Sequence, residues 1–424
     1  METQRKINVP NHLIDLAELL KDKAPLYIVG GYVRNSLLGI GGTDIDLASS
    51  ITPDELKELL DGTKFILREK SKKLGTLEIL VGDGSCYEYS TFRKEVYQSG
   101  SGQHTPISVE FTKDIREDAM RRDFSINAIY YDILKDSFID IYSGEYDIQK
   151  RTIKCIETPE YVFENDGVRI LRMIRFACEL NFKIDWTTFV IAKKMSYRLR
   201  DISNSRKYEE LTKILSSPYK YEISKKDAYI KGLRIFNKFS LWSHYGVPKS
   251  KVKYYMVKKA DKSLRFVGLL IDIVNSANPD CVEYYLDFLL GAKGYGIPSK
   301  KMANIINIVC GYFDALNKVS NKKYFSKYFN NFAQISELLR VSAKFIYNSY
   351  MFFYRYIINH KIPIMVKDLK VDGNDIKKLF PKLPEKKYSK ILNDLLSKVF
   401  EGELENSKEE LIKEIKHNVT SGNY

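Results

Sequence analysis

Cysteine and tryptophan are scarce in this chain of 424 residues, which contains five cysteines and two tryptophans. The cysteines are widely spaced, and no two of them have the Cys-x-x-Cys spacing. This pattern indicates neither a thiolate zinc site nor a disulfide framework. It predicts reduced, partly buried thiols that behave as small apolar side chains. The five are Cys86, Cys155, Cys178, Cys281 and Cys310.

Long apolar runs are also missing. No stretch approaches the roughly 18 apolar residues that a membrane-spanning helix needs. The polar start, residues 1–6, lacks the apolar segment of a signal peptide. We therefore expect a soluble, cytoplasmic protein with no membrane partner.

Basic residues are plentiful, with 68 Lys and Arg against 54 Asp and Glu and a formal net charge of +14. Such a charge attracts polyanions, and the 30 tyrosines would suit stacking on bases. The same enrichment in Lys and Tyr also arises in AT-rich genomes, so composition supports nucleic-acid binding without establishing it. The length predicts roughly two to four domains.

The first candidate ligand site lies near the start of the chain. The pattern predicts a strand at residues 26–29, a turn at Gly30 and Gly31, and a short helix carrying Arg34. The glycines let the backbone approach a ligand, and the helix start offers N–H groups to an anion. This arrangement favours a phosphate-binding niche.

Two carboxylates, Asp44 and Asp46, follow a second glycine loop. On a strand they would point to the same face while Ile45 and Leu47 face the core. Converging carboxylates are ligands that Mg²⁺ prefers. An isolated Asp-x-Asp is more often a solvated loop. Its position after the glycine turn and the arginine favours metal-assisted phosphoryl or nucleotidyl chemistry.

The next segments predict more of the same domain. Glu88 lies on a predicted strand, residues 85–91, from which it could supply a third carboxylate, although the residues alone favour a surface glutamate. The Gly- and Ser-rich residues 94–107 predict a mobile loop and a candidate lid. His104 in that loop is interpreted as a solvated side chain.

Two arginine clusters follow. Helical spacing would place Arg121 and Arg122 near Asp118 and Asp123, where guanidinium groups could bind a triphosphate. A structural salt-bridge cluster is the alternative. A second helix carries a polar edge with a three-residue step, opposite buried Ile170, Leu171, Ile174 and Phe176. That edge could contact a base and phosphates or simply face solvent, and it comprises Asp166, Arg169, Arg172 and Arg175.

Together these segments resemble the tRNA nucleotidyltransferases (CCA-adding enzymes) and bacterial poly(A) polymerases. Further on, residues 368–376 and 391–407 resemble the body and tail of bacterial CCA-adding enzymes. No His-Asp dipeptide occurs, so we expect no phosphohydrolase domain of the kind fused to some relatives. Four segments carry the main resemblance in the family's order: residues 30–46, 88–93, 121–128 and 165–176.

The resemblance implies an α+β fold. A nucleotidyltransferase head with a small mixed β-sheet and helices would be followed by an elongated all-α neck, body and tail. The neck would carry the nucleotide-selecting motif, and the tail would bind tRNA. The implied boundaries are head 1–147, neck 148–215, body 216–365 and tail 366–424.

The resemblance also implies catalytic roles. Asp44 and Asp46 would hold two Mg²⁺ ions, with Glu88 as a less certain third catalytic carboxylate. Asp166 and Arg169 would hydrogen-bond the base edge, so that protein side chains replace a template. The other implied nucleotide-binding residues are Gly30, Gly31, Arg34, Arg121, Arg122, Asp123, Arg172 and Arg175.

The implied activity is template-independent addition of CCA to the 3′ end of tRNA from CTP and ATP, with release of pyrophosphate. The implied partners are tRNA and these two nucleotides, and no protein partner is predicted. Alternatives are a poly(A) polymerase, an enzyme that adds only CC or only A, or a catalytically silent RNA-binding protein. The departures from the family pattern are Asn35, Leu74, Asn165 and residues 203–206.

Overall fold

The structure is a computed structural model that describes residues 7–42, 44–97, 106–245, 251–277, 299–318 and 328–421. Two compact units divide the chain, Met1–Lys251 and Val252–Tyr424. The boundary between them falls inside the predicted body. The division into head, neck, body and tail stays a prediction.

The first unit begins with a mixed β-sheet and its surrounding helices. Local signals place the helices: Thr52 and Glu55 form a capping box before Pro53, and a left-handed Gly39 ends the helix that carries Arg34. The helices are α1 (Asn11–Leu20), α2 (Gly31–Leu38), α3 (Pro53–Leu60), α4 (Ile115–Met120) and α5 (Gly144–Gln149). The strands are β1 (Tyr27–Val29), β2 (Asp46–Ser49), β3 (Ile66–Ser71), β4 (Thr76–Leu80), β5 (Cys86–Thr91), β6 (Arg93–Val96), β7 (Ser108–Phe111), β8 (Ile129–Asp132) and β9 (Ser137–Asp140).

Seven of these strands form one sheet in the order β3-β4-β5-β2-β1-β8-β9. The β2–β5 pair is parallel, and the other neighbours are antiparallel. The central strands bury their apolar side chains, including Ile28, Leu47 and Tyr89 at 0% exposure. β6 and β7 form a separate two-stranded sheet beside it.

Helices complete the first unit. Two short strands, β10 (Thr152–Ile153) and β11 (Lys183–Ile184), pair in parallel. This pair joins the segment before the buried helix Val168–Glu179 to the segment that follows it. Asp185 and Ser203 cap the two helices that follow them by accepting backbone N–H groups. The helices are α6 (Pro159–Asn165), α7 (Val168–Glu179), α8 (Trp186–Lys194), α9 (Asn204–Ser216) and α10 (Ala228–Phe239).

The second unit is helical throughout its described residues. Its last three helices share a small apolar core that includes Ile376, Ile391 and Leu411, each at 0% exposure. The helices are α11 (Met256–Lys259), α12 (Arg265–Ala277), α13 (Ser299–Lys318), α14 (Phe332–Ser342), α15 (Lys344–Asn359), α16 (Gly373–Leu379), α17 (Tyr388–Glu401) and α18 (Lys408–Thr420). The predicted order of a mixed-sheet head followed by helices is thus confirmed.

Several local predictions need correction. β2 begins at Asp46, so Asp44 lies in the preceding loop rather than on the strand. α4 ends at Met120, so Arg121 and Arg122 follow the helix. The two ends of the predicted loop 94–107 are strands, because β6 and β7 pair there, while residues 98–105 with His104 lie outside the described residues.

The thiol and membrane predictions are tested only in part. Cys155 and Cys178 are buried and free and Cys310 is half-buried, but Cys86 is exposed. Cys281 lies outside the described residues. Within the described ranges, no helix combines the length and apolar character needed to cross a bilayer.

Candidate active site

One cleft of about 1080 Å³ in the first unit collects every residue that the sequence singled out for chemistry. Thirteen predicted residues line it, although they come from segments more than 140 positions apart. They are Gly30, Gly31, Arg34, Asp44, Asp46, Glu88, Arg121, Arg122, Asp123, Asp166, Arg169, Arg172 and Arg175. The fold therefore brings the four motifs to one place, and the role of each residue stays a prediction.

The glycine turn after β1 lies directly against the acidic residues. Gly30 has a φ of +84°, which favours glycine, and a Cβ there would lie 3.5 Å from Asp46 Oδ2. Pairing of Val29 with Asp46 across β1 and β2 sets this proximity. The backbone turn and the carboxylate thus form one wall of the cleft.

Three carboxylates come from neighbouring segments at this wall. Asp46 and Glu88 are paired residues on the parallel strands β2 and β5, and Asp44 precedes β2. The Asp46 side chain faces the solvent of the cleft, yet the enclosing walls and the nearby Glu88 and Asp44 charges raise its pKa to about 6. A site that disfavours its own negative charge in this way is suited to a cation.

The donor set fits Mg²⁺, which takes hard oxygen ligands and keeps several waters. Asp44 and Asp46 offer such oxygens at the edge of the cleft. Glu88 is a weaker candidate, because its Oε2 lies 2.6 Å from Lys70 Nζ. Among the described residues, no group of three His, Cys, Asp or Glu side chains is arranged to hold a metal. The two aspartates therefore carry the candidate metal site.

Arg121 and Arg122 are oriented by one buried acid. Asp118, at 0% exposure, accepts from Arg121 Nε at 2.8 Å, from Arg122 Nη2 at 3.1 Å and from the Tyr130 hydroxyl at 2.6 Å. Burial opposes its ionisation, but the two guanidinium groups outweigh burial and lower the pKa of Asp118 to about 2. The salt-bridge cluster and the phosphate-binding interpretation are therefore compatible, because the acid fixes two cations that line the cleft.

Arg34 is a buried cation held by neutral groups. Its Nη1 donates to Asn127 Oδ1 at 2.6 Å, its Nη2 to Asn35 Oδ1 at 2.9 Å and to the Tyr221 hydroxyl at 3.3 Å. Burial lowers the pKa of Arg34 from its ordinary value. Among the described residues no carboxylate forms an ion pair with this guanidinium, which makes it well suited to an anionic ligand. Asn35, one of the departures from the family pattern, is thus one of its supports.

The solvent-facing alternative for α7 is wrong. Arg169 and Arg175 are each only 8% exposed, and Asp123 is 5% exposed. Arg172 Nε donates to Asp123 Oδ2 at 2.7 Å, and Arg175 Nε donates to Glu210 Oε2 at 2.7 Å. Nearly all of α7 is buried, so its arginines form an internal wall of the cleft.

The predicted base-reading pair, Asp166 and Arg169, is held by other groups of the protein. Asp166 accepts from Arg206 Nη2 at 3.0 Å and from the Val168 N–H at 3.0 Å. Arg169 donates to two backbone carbonyls, that of Arg121 at 2.6 Å and that of Val162 at 3.3 Å. Both side chains line the cleft in fixed orientations.

Phe176 lies among three guanidinium groups rather than opposite them. The ring centroid is 4.2 Å from Arg175 Cζ and 5.3 Å from the Cζ atoms of Arg34 and Arg172. The negative face of an aromatic ring attracts such cations and offsets part of their mutual repulsion. Phe176 was predicted as buried, which is confirmed at 6% exposure, but it also lines the cleft.

We expect Phe176→Leu to weaken nucleotide binding, because leucine fills similar space but lacks the quadrupole that holds the cations. Loss of one or two such contacts corresponds to about a tenfold rise in KM for the nucleotide. Phe176→Tyr keeps the ring and serves as the control. Nucleotide titrations of both variants and the wild type measure the difference, and equal KM values for leucine and tyrosine would refute the role of the ring.

Sequence reasoning missed several residues that line the cleft. Glu95 accepts from Arg93 Nε at 2.7 Å and from the Tyr97 hydroxyl at 2.5 Å. Burial opposes the Glu95 charge, but Arg121 and Arg93 more than compensate and lower its pKa. The Arg-x-Glu-x-Tyr alternation of this strand was the available signal, which the loop prediction obscured. Tyr221 gave no sequence signal.

Two family models match parts of this chain. Residues 26–154 match the model of the "Poly A polymerase head domain". Residues 181–224 match the model of the "Probable RNA and SrmB-binding site of polymerase A". The first match covers the sheet and most of the cleft, and the second covers the chain from β11 to the segment that contains Tyr221.

Curated relatives extend the similarity. The CCA-adding enzyme of Ligilactobacillus salivarius is 29% identical over 410 residues, which cover 92% of each chain. The CCA-adding enzyme of Lactococcus lactis subsp. cremoris is 37% identical over 191 residues, covering 45% of this chain and 46% of that protein.

Solved structures share the fold. The Bacillus stearothermophilus CCA-adding enzyme, crystallised in complex with CTP, has a TM-score of 0.67 at 21% identity and covers 100% of this chain and 99% of its own. The Thermotoga maritima CCA-adding enzyme complexed with tRNA has a TM-score of 0.58 at 22% identity, with coverage of 97% and 96%. At these identities the similarity to the solved structures shows the fold alone.

Proposed function

Because the chain belongs to the tRNA nucleotidyltransferase and poly(A) polymerase family, on its CCA-adding branch, we propose that it completes the 3′ CCA end of tRNA. CTP and ATP are the nucleotide substrates, and pyrophosphate is released. The observation that carries the proposal is the single cleft that holds the acidic, phosphate-binding and base-reading candidates together.

The reaction joins the RNA 3′ oxygen to the α-phosphorus of the incoming nucleotide. The bond from that phosphorus to the bridging oxygen breaks, the hydroxyl proton leaves, and the pair of terminal phosphates departs as pyrophosphate. The chain's share is to position both substrates and to balance the charge of the triphosphate. The cleft suits that task, since nine basic and six acidic residues line it.

Asp44 and Asp46 would hold the divalent metal that we propose, with two Mg²⁺ ions in the full site. The metal would lower the pKa of the attacking hydroxyl and neutralise charge on the phosphates. Arg34, Arg121 and Arg122 would bind phosphate oxygens. These arginines are already oriented by hydrogen bonds, Arg34 by Asn35 and Asn127, and the other two by Asp118.

Base selection falls to α7 and its supports. Cytosine N4 and adenine N6 are donors that a carboxylate such as Asp166 can accept, and the neighbouring ring nitrogen of each base accepts from a guanidinium such as Arg169. Uracil and guanine present a different order of donors and acceptors. One fixed Asp–Arg pair can therefore serve both substrates. We also propose that the enzyme works in the cytoplasm, which agrees with the free thiols of Cys155 and Cys178.

An addition assay tests the proposed function. Purified protein receives tRNA that lacks its CCA end, Mg²⁺, and CTP or ATP singly or together, and a gel sizes the products. We expect both nucleotides together to add three residues and then stop. A long ladder with ATP alone would indicate a poly(A) polymerase, and products of one or two residues would indicate a CC- or A-adding enzyme. No addition under any condition would refute the proposal.

A further inference from the structure

Helix α8 packs into the first unit by one side only. Thr188 and Ala192 on that side are 0% exposed. The Phe189 ring lies 4.8 Å from the Phe239 ring of α10, and Lys238 Nζ lies 4.7 Å from the same Phe189 ring. These contacts fix the helix in the fold, and they leave its opposite side for other purposes.

That opposite side carries an exposed stripe, which we define as Trp186, Val190 and Lys193. Spacings of four and three residues place these side chains on one side of α8. Trp186 is 76% exposed and Val190 41%, and Tyr197, just beyond the end of the helix, is 45% exposed, whereas the other tryptophan of the chain, Trp242, is 2% exposed. Exposure of so much apolar surface on one side of a helix is typical of a contact site.

The surroundings of the stripe are basic. Residues 183–201 contain five basic and two acidic residues. Both acids already have partners. Asp185 accepts a hydrogen bond from the Thr188 N–H at 2.9 Å, and Asp201 Oδ2 lies 3.8 Å from Arg198 Nη1. Lys193, the basic member of the stripe, is exposed. The stripe thus combines flat apolar surface with net positive charge.

We propose that this stripe binds an unpaired nucleotide of the tRNA, with its base stacked on Trp186 and its phosphate near Lys193. The inference rests on the proposed function and adds a second RNA contact outside the catalytic cleft, since none of the stripe residues lines that cleft. Aromatic side chains stack on any unstacked base, whereas bases inside a duplex are not accessible. The match of residues 181–224 to a probable RNA-binding model supports RNA as the occupant.

Fluorescence provides a direct test, because only two tryptophans occur in the chain and Trp242 is buried. Wild-type protein is titrated with tRNA that lacks its CCA end, and binding is followed independently by gel shift. We expect stacking to quench the indole emission with the same midpoint as the gel shift, and Trp186→Phe to abolish most of the change. Saturated binding with unchanged emission would overturn the proposal.

Kinetics provide a second test. Removal of one stacked base contact corresponds to about a tenfold loss of affinity, so Trp186→Ala is expected to raise KM for tRNA by about that factor. KM for CTP and kcat at saturating tRNA should stay within about twofold of the wild type. Ile66→Ala is the control, because Ile66 is a 66% exposed apolar residue on the edge strand β3.

The outcomes separate this inference from the proposed function. If wild-type protein adds no nucleotides, the proposed function fails, and the fluorescence titration still decides whether the stripe binds tRNA. If Trp186→Ala keeps the wild-type KM and affinity for tRNA, the stripe does not bind RNA and the proposal is wrong. A protein partner would then be the remaining occupant for an exposed surface of this kind.

Discussion

Replacement of Asp46 by alanine or asparagine is expected to reduce nucleotide addition to the background of the assay. Asp46 lies between the glycine turn and Glu88, and its carboxylate is half of the candidate metal site. Without it, Asp44 alone would have to hold the cation, and one carboxylate binds Mg²⁺ weakly in water. Addition assays at saturating CTP and tRNA measure the loss. Binding of tRNA, followed by gel shift, should change less than about twofold because its main contacts lie elsewhere.

Metal binding supplies a readout besides activity. Mg²⁺ that binds only the folded protein raises its melting temperature, and Asp46→Asn should remove most of that rise. The substitution itself should not destabilise the fold. Because the pKa of Asp46 in the folded protein is raised to about 6, ionisation of this carboxyl lowers the free energy of unfolding as the pH rises from about 4 to 6. Asparagine does not ionise and therefore causes no such decrease. Asp61→Asn, an exposed acid outside the cleft, is the matched control. Wild-type addition by Asp46→Asn would place the metal site elsewhere.

Local sequence signals predicted the parts of this site but not their partners. The glycine turn and the acidic pair depend on neighbouring residues, so a single stretch of chain reveals them. The strand that carries Glu88 was also predicted from alternation. The bond from Lys70 to Glu88 was not, because it depends on how β3, β4 and β5 are arranged in the sheet.

The same limit explains the errors in α7. Its three-residue step predicts a polar edge on any helix, but only tertiary packing decides whether that edge contacts solvent or protein. The polar edge of α7 faces inward because Glu210 on α9 binds Arg175 and Asp123 in the loop after α4 binds Arg172. The partners of these charges are 35 and 49 positions away, beyond the reach of a periodicity argument.

The second large effect concerns the choice of base. Asp166→Ala is expected to lower kcat/KM for both CTP and ATP by roughly 10- to 100-fold, since a well-formed pair of hydrogen bonds to a base is worth about 1–3 kcal/mol. The preference for CTP over UTP should fall by a similar factor, because the lost carboxylate accepts from cytosine N4 and cannot accept from uracil O4. Competition assays with CTP and UTP measure the ratio.

Arg206 should act on selection without touching the base. It lies beside Asp166, with Nη2 3.0 Å from Oδ2 and Nη1 3.4 Å from Oδ1, so it fixes the carboxylate from the side. Arg206→Ala should therefore lower the preference for CTP over UTP in the same direction as Asp166→Ala, by a smaller factor, because the Val168 N–H still holds Oδ1. Arg206→Lys should recover only part of the preference, since an ammonium cannot reproduce the two-pronged contact.

A matched substitution on the same helix separates selection from stability. Ser216→Ala changes an exposed residue of α9 that does not line the cleft, and it should leave the preference for CTP over UTP unchanged. If Asp166→Ala and Arg206→Ala also leave it unchanged, base choice belongs to the deeper arginines of α7. If both lower it together, and the double variant loses no more than Asp166→Ala alone, the two residues act as one unit. The catalytic carboxylates would then play no part in the choice of base. Selection would depend on the Asp166 carboxylate, which is held by the Val168 N–H of α7 and by Arg206, 40 positions further along the chain.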